Sequence, residues 1–191
     1  MKIIYVRPAG AARGRLRIGV DCDGEKQDFS LSESEYSAVG SPLSGDIIDA
    51  DIRERMAEFD LHFRARKKAL GILSYADNSE ISLIRKLRTA GFSEKLSRTV
   101  AEEMVMRGYI NENRQLKHLI STEVRLHMTG PKKLIPKLMA KGYKRSDIDI
   151  ALDELTECGE VDFAEAKARL LMGLRREDTE LIKKTLYKNG Y

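Results

Sequence analysis

The feature that most constrains this chain is an internal repeat. Shifting the 191-residue sequence by 51 residues superimposes two long stretches without a gap, and a shift of 48 residues brings a shorter third stretch into register. The matching positions share an apolar and basic run followed by glycine and an aromatic residue: Leu83 to Leu87 with Gly91-Phe92, Leu134 to Leu138 with Gly142-Tyr143, and Leu186 with Gly190-Tyr191. Repeats of this length are typical of arrays in which each unit buries its apolar face against its neighbours.

The repeat units are predicted to be helical. Apolar residues recur at steps of three and four, and Gly, Ser, Asp or Asn stands at each boundary. The predicted helices span residues 64–75, 80–90, 94–107, 113–127, 131–141, 146–158, 163–174 and 179–189. We therefore expect a mostly α fold, in which tandem three-helix repeats form an elongated curved array behind a small N-terminal segment that contains β-structure. The expected divisions are an N-terminal segment with a short β-hairpin and a connecting helix at 1–60, repeat one at 61–112, repeat two at 113–162 and a truncated repeat three at 163–191.

The ends of the predicted helices carry stop and start signals. Glycine one residue past the C-cap accepts the left-handed conformation of a Schellman turn, and an apolar residue after it packs back on the helix. This pattern occurs at Gly91-Phe92, Gly108-Tyr109, Gly142-Tyr143 and Gly190-Tyr191. We interpret the four aromatic residues as core residues rather than base-stacking ones. Side chains suited to N-capping stand at Ser79, Ser93, Asn111, Asp162 and Asp178. Pro136 lies inside a predicted helix and is expected to kink or shorten it.

The first 60 residues have a different pattern. Strand-like runs stand at 2–6, 16–20 and 27–29, with Asp23-Gly24 as a hairpin turn. A short helix is expected at 32–39, a linker at 40–45, and a helical stretch at 46–63 that continues into the repeats. The loop from Gly10 to Gly14, which contains Arg13, lacks the lysine, the hydroxyl and the spacing of known phosphate-binding loops.

Charge is distributed unevenly along the chain. The net charge of +4 combines −4 for residues 1–60, with 8 basic and 12 acidic groups, and +8 for residues 61–191, with 26 and 18. A basic helical domain favours nucleic acid or an acidic protein surface as its partner. The candidate contact residues form corresponding sets on the second helix of each repeat: Arg85, Lys86 and Arg88; Lys132, Lys133, Lys137 and Lys141; Lys183, Lys184 and Lys188. An ordinary solvated helix face is the alternative interpretation of these sets.

Residues that carry catalysis or bind metals form no known pattern in this sequence. The three histidines, His62, His118 and His127, are scattered, and no catalytic triad, His-Glu-x-x-His, CxxC or Gly-x-Ser-x-Gly sequence occurs. Cys22 and Cys158 are far apart and lack neighbouring ligand residues, so we expect free, reduced thiols, as in the cytoplasm. No apolar run suits a membrane span, and no export leader is recognisable. We therefore expect a cytoplasmic protein that is not an enzyme and uses no metal or cofactor.

The repeat motif resembles that of the RecX regulatory proteins, in which the second helix carries Lys-Leu-x-x-x-Gly and then an aromatic residue. The resemblance covers about residues 64–191 and is carried by these segments: Ala69 to Ser74, Ser79 to Phe92, Gly108 to Ile110, Gly130 to Tyr143 and Leu186 to Tyr191. The chain departs from the family at Asn111 to Leu116, where two aspartates, a basic residue and an aromatic residue are usual. It departs again at Asp77, where a basic residue is common.

The resemblance implies a modulator of recombination, DNA repair and the SOS response. Such a protein binds the groove of the RecA recombinase filament on single-stranded DNA, acts as a monomer, and usually inhibits the recombinase and its ATPase activity. Stacked repeats suit this partner, because each unit can contact a successive subunit and weak contacts add up to avid binding. Two other interpretations stay open: a helical DNA-binding transcription regulator with a specific operator, and a protein-binding scaffold without affinity for nucleic acid.

Overall fold

The computed structural model describes residues 1–10, 14–22, 24–172, 174 and 178–191. Arg13 of the glycine-flanked loop, Asp23 of the expected hairpin turn and residue 173 of the seventh predicted helix lie outside the described residues. The chain divides into two compact units, Met1–Gly71 and Ile72–Tyr191.

Within the described residues, three strands and nine α-helices follow one another along the chain. Their bounds are β1 (Lys2–Pro8), β2 (Arg15–Cys22), β3 (Glu25–Ser32), α1 (Glu33–Ala38), α2 (Ala50–Tyr75), α3 (Glu80–Thr89), α4 (Glu94–Met106), α5 (Glu112–Arg125), α6 (Pro131–Ala140), α7 (Arg145–Glu157), α8 (Phe163–Leu171) and α9 (Thr179–Asn189). The mostly α fold with a small β-containing N-terminal segment is confirmed. From α3 onward every helix begins within one residue of its predicted start. α2 joins the predicted stretches 46–63 and 64–75 into one helix, but it begins only at Ala50, because Ile47 forms a β-bridge with Lys2.

The first unit has a core of its own between the sheet and helical segments. The strands pair antiparallel in the order β1-β2-β3. Since side chains alternate between the two faces of a strand, Ile3, Ile18 and Leu31 enter one buried cluster, which Met56 of α2 completes. The strands extend beyond the predicted runs because the backbone pairing continues past the apolar residues.

Helix ends in the second unit confirm the glycine stop signals. Gly91 has a φ of +95°, which an L side chain rarely adopts. The N–H groups of Gly91 and Phe92 donate to the carbonyls of Arg88 and Leu87 at 2.9 and 3.2 Å, the two bonds of a Schellman turn. The same pair of bonds ends four further helices, at Gly108, Gly142, Gly159 and Gly190.

The expected core role of the aromatic residues after these glycines is only partly correct. Tyr143 is buried, and Phe92 and Tyr191 are half-buried, but Tyr109 is 53% exposed. Its neighbour Ile110 packs into the core instead. The 51-residue repeat already contained this signal, because Tyr109 aligns with a glutamate and Ile110 with the buried valine of the next repeat.

Two further helix-end predictions need correction. Asp178 makes no side-chain capping bond, because its ψ of 58° is far from the extended conformation that directs an N-cap side chain back to the helix. The other four predicted caps are confirmed by side-chain bonds to the first turn: Ser79, Ser93, Asn111 and Asp162. Pro136 does not shorten α6, which continues to Ala140, and the other expected effect of this residue, a kink, stays a prediction.

The second helices of the repeats, α3, α6 and α9, contact one another through their ends. At the start of α3, the Ser79 hydroxyl donates to the Lys141 carbonyl at the end of α6, at 2.7 Å. At the start of α6, the Gly130 N–H donates to the Asn189 carbonyl at the end of α9, also at 2.7 Å. Helix ends carry donors and acceptors without partners in their own helix. The first contact satisfies a carbonyl at the end of α6, and the second satisfies both an N–H at the start of α6 and a carbonyl at the end of α9. We call these two contacts the α3–α6 junction and the α6–α9 junction.

Glycine is required at the junctions for space as well as for backbone conformation. A Cβ at Gly142 would stand 2.7 Å from the Ser79 hydroxyl, and one at Gly190 would stand 2.5 Å from the Cβ of Lys133. Gly91 has nearly the same φ as Gly142, but nothing lies within 4 Å of its Cβ position. Gly91 therefore ends its own helix but leaves space for a side chain.

This difference predicts the result of two alanine substitutions. We expect Gly142→Ala to lower the free energy of unfolding more than Gly91→Ala. Both place a Cβ at a left-handed position, at a cost of roughly 1–2 kcal/mol. Only Gly142→Ala also displaces Ser79, which adds on the order of 1 kcal/mol for the lost hydrogen bond. Urea unfolding followed by circular dichroism measures both, and equal losses would contradict the packing role of the α3–α6 junction.

Candidate functional site

All ten basic residues predicted for partner contact are exposed, but they differ in what their side chains touch. Four have a hydrogen-bond or ion-pair partner in the protein: Lys86, Arg88, Lys133 and Lys137. The others have none within the part of the chain that the structure describes: Arg85, Lys132, Lys141, Lys183, Lys184 and Lys188. The second group is available to a partner without loss of an internal bond.

Lys86 and Lys137 occupy equivalent repeat positions, and each side chain bonds to a residue that precedes its own helix. The Lys137 ammonium donates to Glu123 at 2.6 Å, and the Thr129 hydroxyl donates to the other oxygen of that carboxylate at 3.1 Å. In repeat one, the Lys86 ammonium donates to the Asn78 side-chain oxygen at 2.5 Å. Asn78 and Thr129 are themselves equivalent and buried. Lys86 therefore ties α3 to the loop before it, whereas Lys137 ties α6 to α5 through Glu123.

The Glu123 carboxylate is held in its charged form by these bonds. Burial acts to raise its pKa, but the hydrogen bonds from Lys137 and Thr129 outweigh burial and lower the pKa below its usual 4.5. By contrast, Arg88 pairs with Glu94 at 2.8 Å on the surface, where both side chains are more than two-fifths exposed. An ion pair in that setting contributes little to stability.

The α6–α9 junction brings lysines from two helices together. The Lys132 N–H donates to the Gly190 carbonyl at 3.2 Å, and the Lys133 ammonium donates to the Lys188 carbonyl at 3.2 Å. A cation at this position is favoured by the negative end of the α9 dipole. Lys184 lies one turn before Lys188 on α9, so both share a face. We call Lys132, Lys133, Lys184 and Lys188 the junction lysines.

The junction lysines concentrate positive charge that no described carboxylate neutralises. Within the described residues, none of the four forms an ion pair with Asp or Glu. Four lysines on the two helices that meet at this junction attract phosphate or carboxylate groups of a partner, and salt weakens this attraction. The arrangement is therefore suited to an anionic partner.

The basic residues are not copies of one repeated site, which corrects the expectation of corresponding sets. When the second helices are aligned on Leu87, Leu138 and Leu186 and on their terminal glycines, only Lys86 with Lys137 and Arg85 with Lys184 share a position. The remaining six stand at positions where the other helices carry residues of another kind. Lys141 lies at the α3–α6 junction, and Lys183 lies on α9 beside the junction lysines.

Other chemistry in the described residues is limited. No group of three or more His, Cys, Asp or Glu side chains is arranged there to hold a metal ion. Cys22 and Cys158 are free thiols, as predicted. No helix of the described chain is both long and apolar enough to cross a membrane.

Comparison with known proteins gives one consistent result. A regulatory protein RecX from Lactobacillus johnsonii is 26% identical over 171 residues, which cover 90% of this chain and 60% of that protein. A regulatory protein RecX from Pseudomonas fluorescens is 30% identical over 109 residues, which cover 57% of this chain and 67% of that protein. A solved crystal structure of a regulatory protein RecX superimposes with a TM-score of 0.75 at 22% identity, covering all of this chain and 94% of the other. No protein-family model matches the chain.

Fold and surface together define an α-helical repeat protein with lysines gathered at a helix junction. The solved structure supports this fold, and the two curated relatives are 26% and 30% identical to this chain over the matched residues. The chain belongs to the RecX family of regulatory proteins. It spans 60% of the length of the Lactobacillus relative, so the activity and partners of a whole protein are matters for proposal.

The Lys137–Glu123 pair predicts how stability changes with pH. At neutral pH, Lys137→Gln should lower the free energy of unfolding by up to about 1 kcal/mol, because Lys137 is partly exposed and solvent screens the pair. The pKa of Glu123 is depressed in the folded protein, so its stabilising effect is present above the usual glutamate pKa and lost as pH falls through the folded value. The difference between the variant and the original chain should therefore disappear in acid.

Urea unfolding at a series of pH values from 7 into the acid range follows this effect as Glu123 becomes protonated. Lys132→Gln is the matched control, because it removes the same charge from α6 without removing an internal side-chain bond. A loss of stability that is the same for both variants, or that persists in acid, would show that Lys137 acts only through general charge.

Proposed function

We propose that this chain binds the RecA recombinase filament on single-stranded DNA and inhibits its recombinase and ATPase activities. Membership of the RecX family, whose relatives are named regulatory proteins, supports a regulatory and non-enzymatic role. The observation that carries the proposal is the set of junction lysines, whose ammonium groups lack acidic partners in the described residues. We propose further that the protein acts as a cytoplasmic monomer.

The mechanism follows from the repeat frame and the charge. A nucleoprotein filament presents phosphates and subunit surfaces at regular intervals. Helices joined through the α3–α6 and α6–α9 junctions hold Lys141 and the junction lysines in fixed order, so several weak contacts form at once. Contacts to phosphate release counterions from the nucleic acid, which makes the affinity fall steeply with salt. Inhibition then results from occupation of the filament surface rather than from chemistry.

Replacing three junction lysines tests this proposal. We expect Lys132, Lys184 and Lys188, changed together to Gln, to weaken binding to RecA-coated single-stranded DNA and to shift inhibition of its ATP hydrolysis to higher protein concentration. If all three contact phosphate, the plot of log affinity against log salt should become shallower by roughly 2, about 0.7 for each contact. Lys133 is left unchanged because its ammonium bonds to the Lys188 carbonyl.

A matched triple controls for net charge. Lys95, Arg114 and Lys167 are exposed, lie on α4, α5 and α8, and make no side-chain hydrogen bond or ion pair in the described structure. Their replacement by Gln should leave binding close to that of the original chain. Equal losses in both triples would remove the site assignment, and an original chain that leaves RecA ATP hydrolysis unchanged would overturn the proposed function. Binding to one duplex sequence without RecA would instead favour a transcription regulator.

A further inference from the structure

Repeat two has an apolar groove on its surface that the basic site does not use. The groove has a volume of 260 Å³ and lies between the start of α5 and the middle of α7. Leu116 and Ala151 form its floor, and Ile150 lies on its wall with 56% of its surface exposed. The groove is large enough for one apolar side chain. The packing of the helices leaves both the groove and Ile150 exposed.

An isoleucine at position 150 is not needed for the fold of the repeat. In repeat one, the equivalent position is Thr99, which is also exposed on its helix. The equivalent of Asp147, at the other end of the groove, is the apolar Leu96. Both differences make the groove of repeat two apolar inside and acidic at its edge, whereas the buried positions of the two repeats keep the same character. The groove is therefore a local addition to the shared fold.

Negative charge borders the groove on its α7 side. α7 carries five acidic side chains and one basic one. Asp147 and Asp153 stand three residues before and after Ile150, so all three lie close together on the helix surface. Within the described residues, neither aspartate pairs with a lysine or arginine, while Asp149 and Glu154 are neutralised by Arg145 and Lys117. Asp147 lines the groove, so an occupant would meet its unpaired charge there, and Asp153 extends that charge along α7.

We propose that this groove docks a basic segment of a partner protein, in which one large apolar side chain lies between lysines or arginines. The apolar side chain enters beside Ile150 and Leu116, and the flanking cations face Asp147 and Asp153. Charge complementarity selects this occupant, since the same carboxylates repel nucleic acid and acidic peptides. This surface is negatively charged and binds a basic segment, whereas the junction lysines are positively charged and attract an anion. The groove therefore gives the chain a second contact that is independent of the proposed function.

A short peptide tests the docking site directly. The probe is acetyl-Lys-Lys-Leu-Lys-Lys-amide, titrated into the 191-residue chain labelled with nitrogen-15. We expect the largest amide shifts in residues 112–116 and 147–151, and a roughly tenfold weaker affinity for the peptide with Ser in place of Leu, the factor that about 1.4 kcal/mol produces. A peptide with Glu in place of Lys should not bind.

Two substitutions identify the residues responsible. Ile150→Thr introduces the residue that repeat one has at this position, so the fold should tolerate it, and it should reduce the preference for Leu over Ser in the peptide. Asp153→Asn should weaken binding of both lysine peptides, while the matched change Glu102→Gln, at the equivalent position of repeat one, should not. Shifts spread over all acidic surfaces, or an unchanged affinity of Ile150→Thr, would overturn the proposal.

Self-association is the competing outcome. Tyr187 is 87% exposed among the lysines of α9, so a second copy could offer similar chemistry to the groove. Sedimentation velocity across a range of protein concentrations separates the two. A dimer that forms in the original chain and is lost in Ile150→Thr would assign the groove to a second copy and overturn docking of a partner segment. Failure of RecA inhibition leaves this peptide experiment unaffected, so the two proposals fail independently.

Discussion

The contact on which the repeat unit depends is between the ends of helices. Burying helix-end carbonyls and N–H groups is costly unless each finds a partner. The α3–α6 and α6–α9 junctions provide those partners, because the C-terminal turn of one second helix supplies acceptors to the first turn of another. Two C-terminal turns could not pair in this way. The junctions therefore fix the order and direction of the second helices, and the close approach restricts Gly142 and Gly190 to glycine.

This constraint also divides the lysines by role. Lys133 bonds to the end of α9, and Lys137 bonds to Glu123, so both contribute to the structure that displays their neighbours. Lys132, Lys184 and Lys188 gain their positions from that structure but form no side-chain bond within its described part. A lysine in the repeat motif is consequently a poor guide to partner contact. The better guide is a basic residue near a junction whose side chain makes no hydrogen bond or ion pair within the described structure.

Local signals made most of the fold predictable from sequence. Helix starts and glycine stops depend on residues within one turn, so their positions could be predicted closely, whereas the strand ends depend on pairing with a neighbouring strand. Tyr109 was predictable in principle, since its repeat equivalent is polar. The Lys137–Glu123 bond was not, because 14 residues and a helix boundary separate its partners. The groove beside Ile150 likewise depends on the packing of α5 against α7, which no single segment specifies.

Basic and acidic side chains of the repeats lie on different surfaces, a separation that the net charge of +4 does not show. The junction lysines attract a polyanion, whereas α7, with five acidic side chains and one basic one, repels it. At about 0.1 M salt these fields extend roughly 10 Å from the surface, so they act on a partner that is already close rather than at long range. A polyanion is therefore drawn to one surface and kept from the other. A partner that combines an anionic polymer with basic protein segments could satisfy both surfaces at once, and its subunits would then bind in only one orientation.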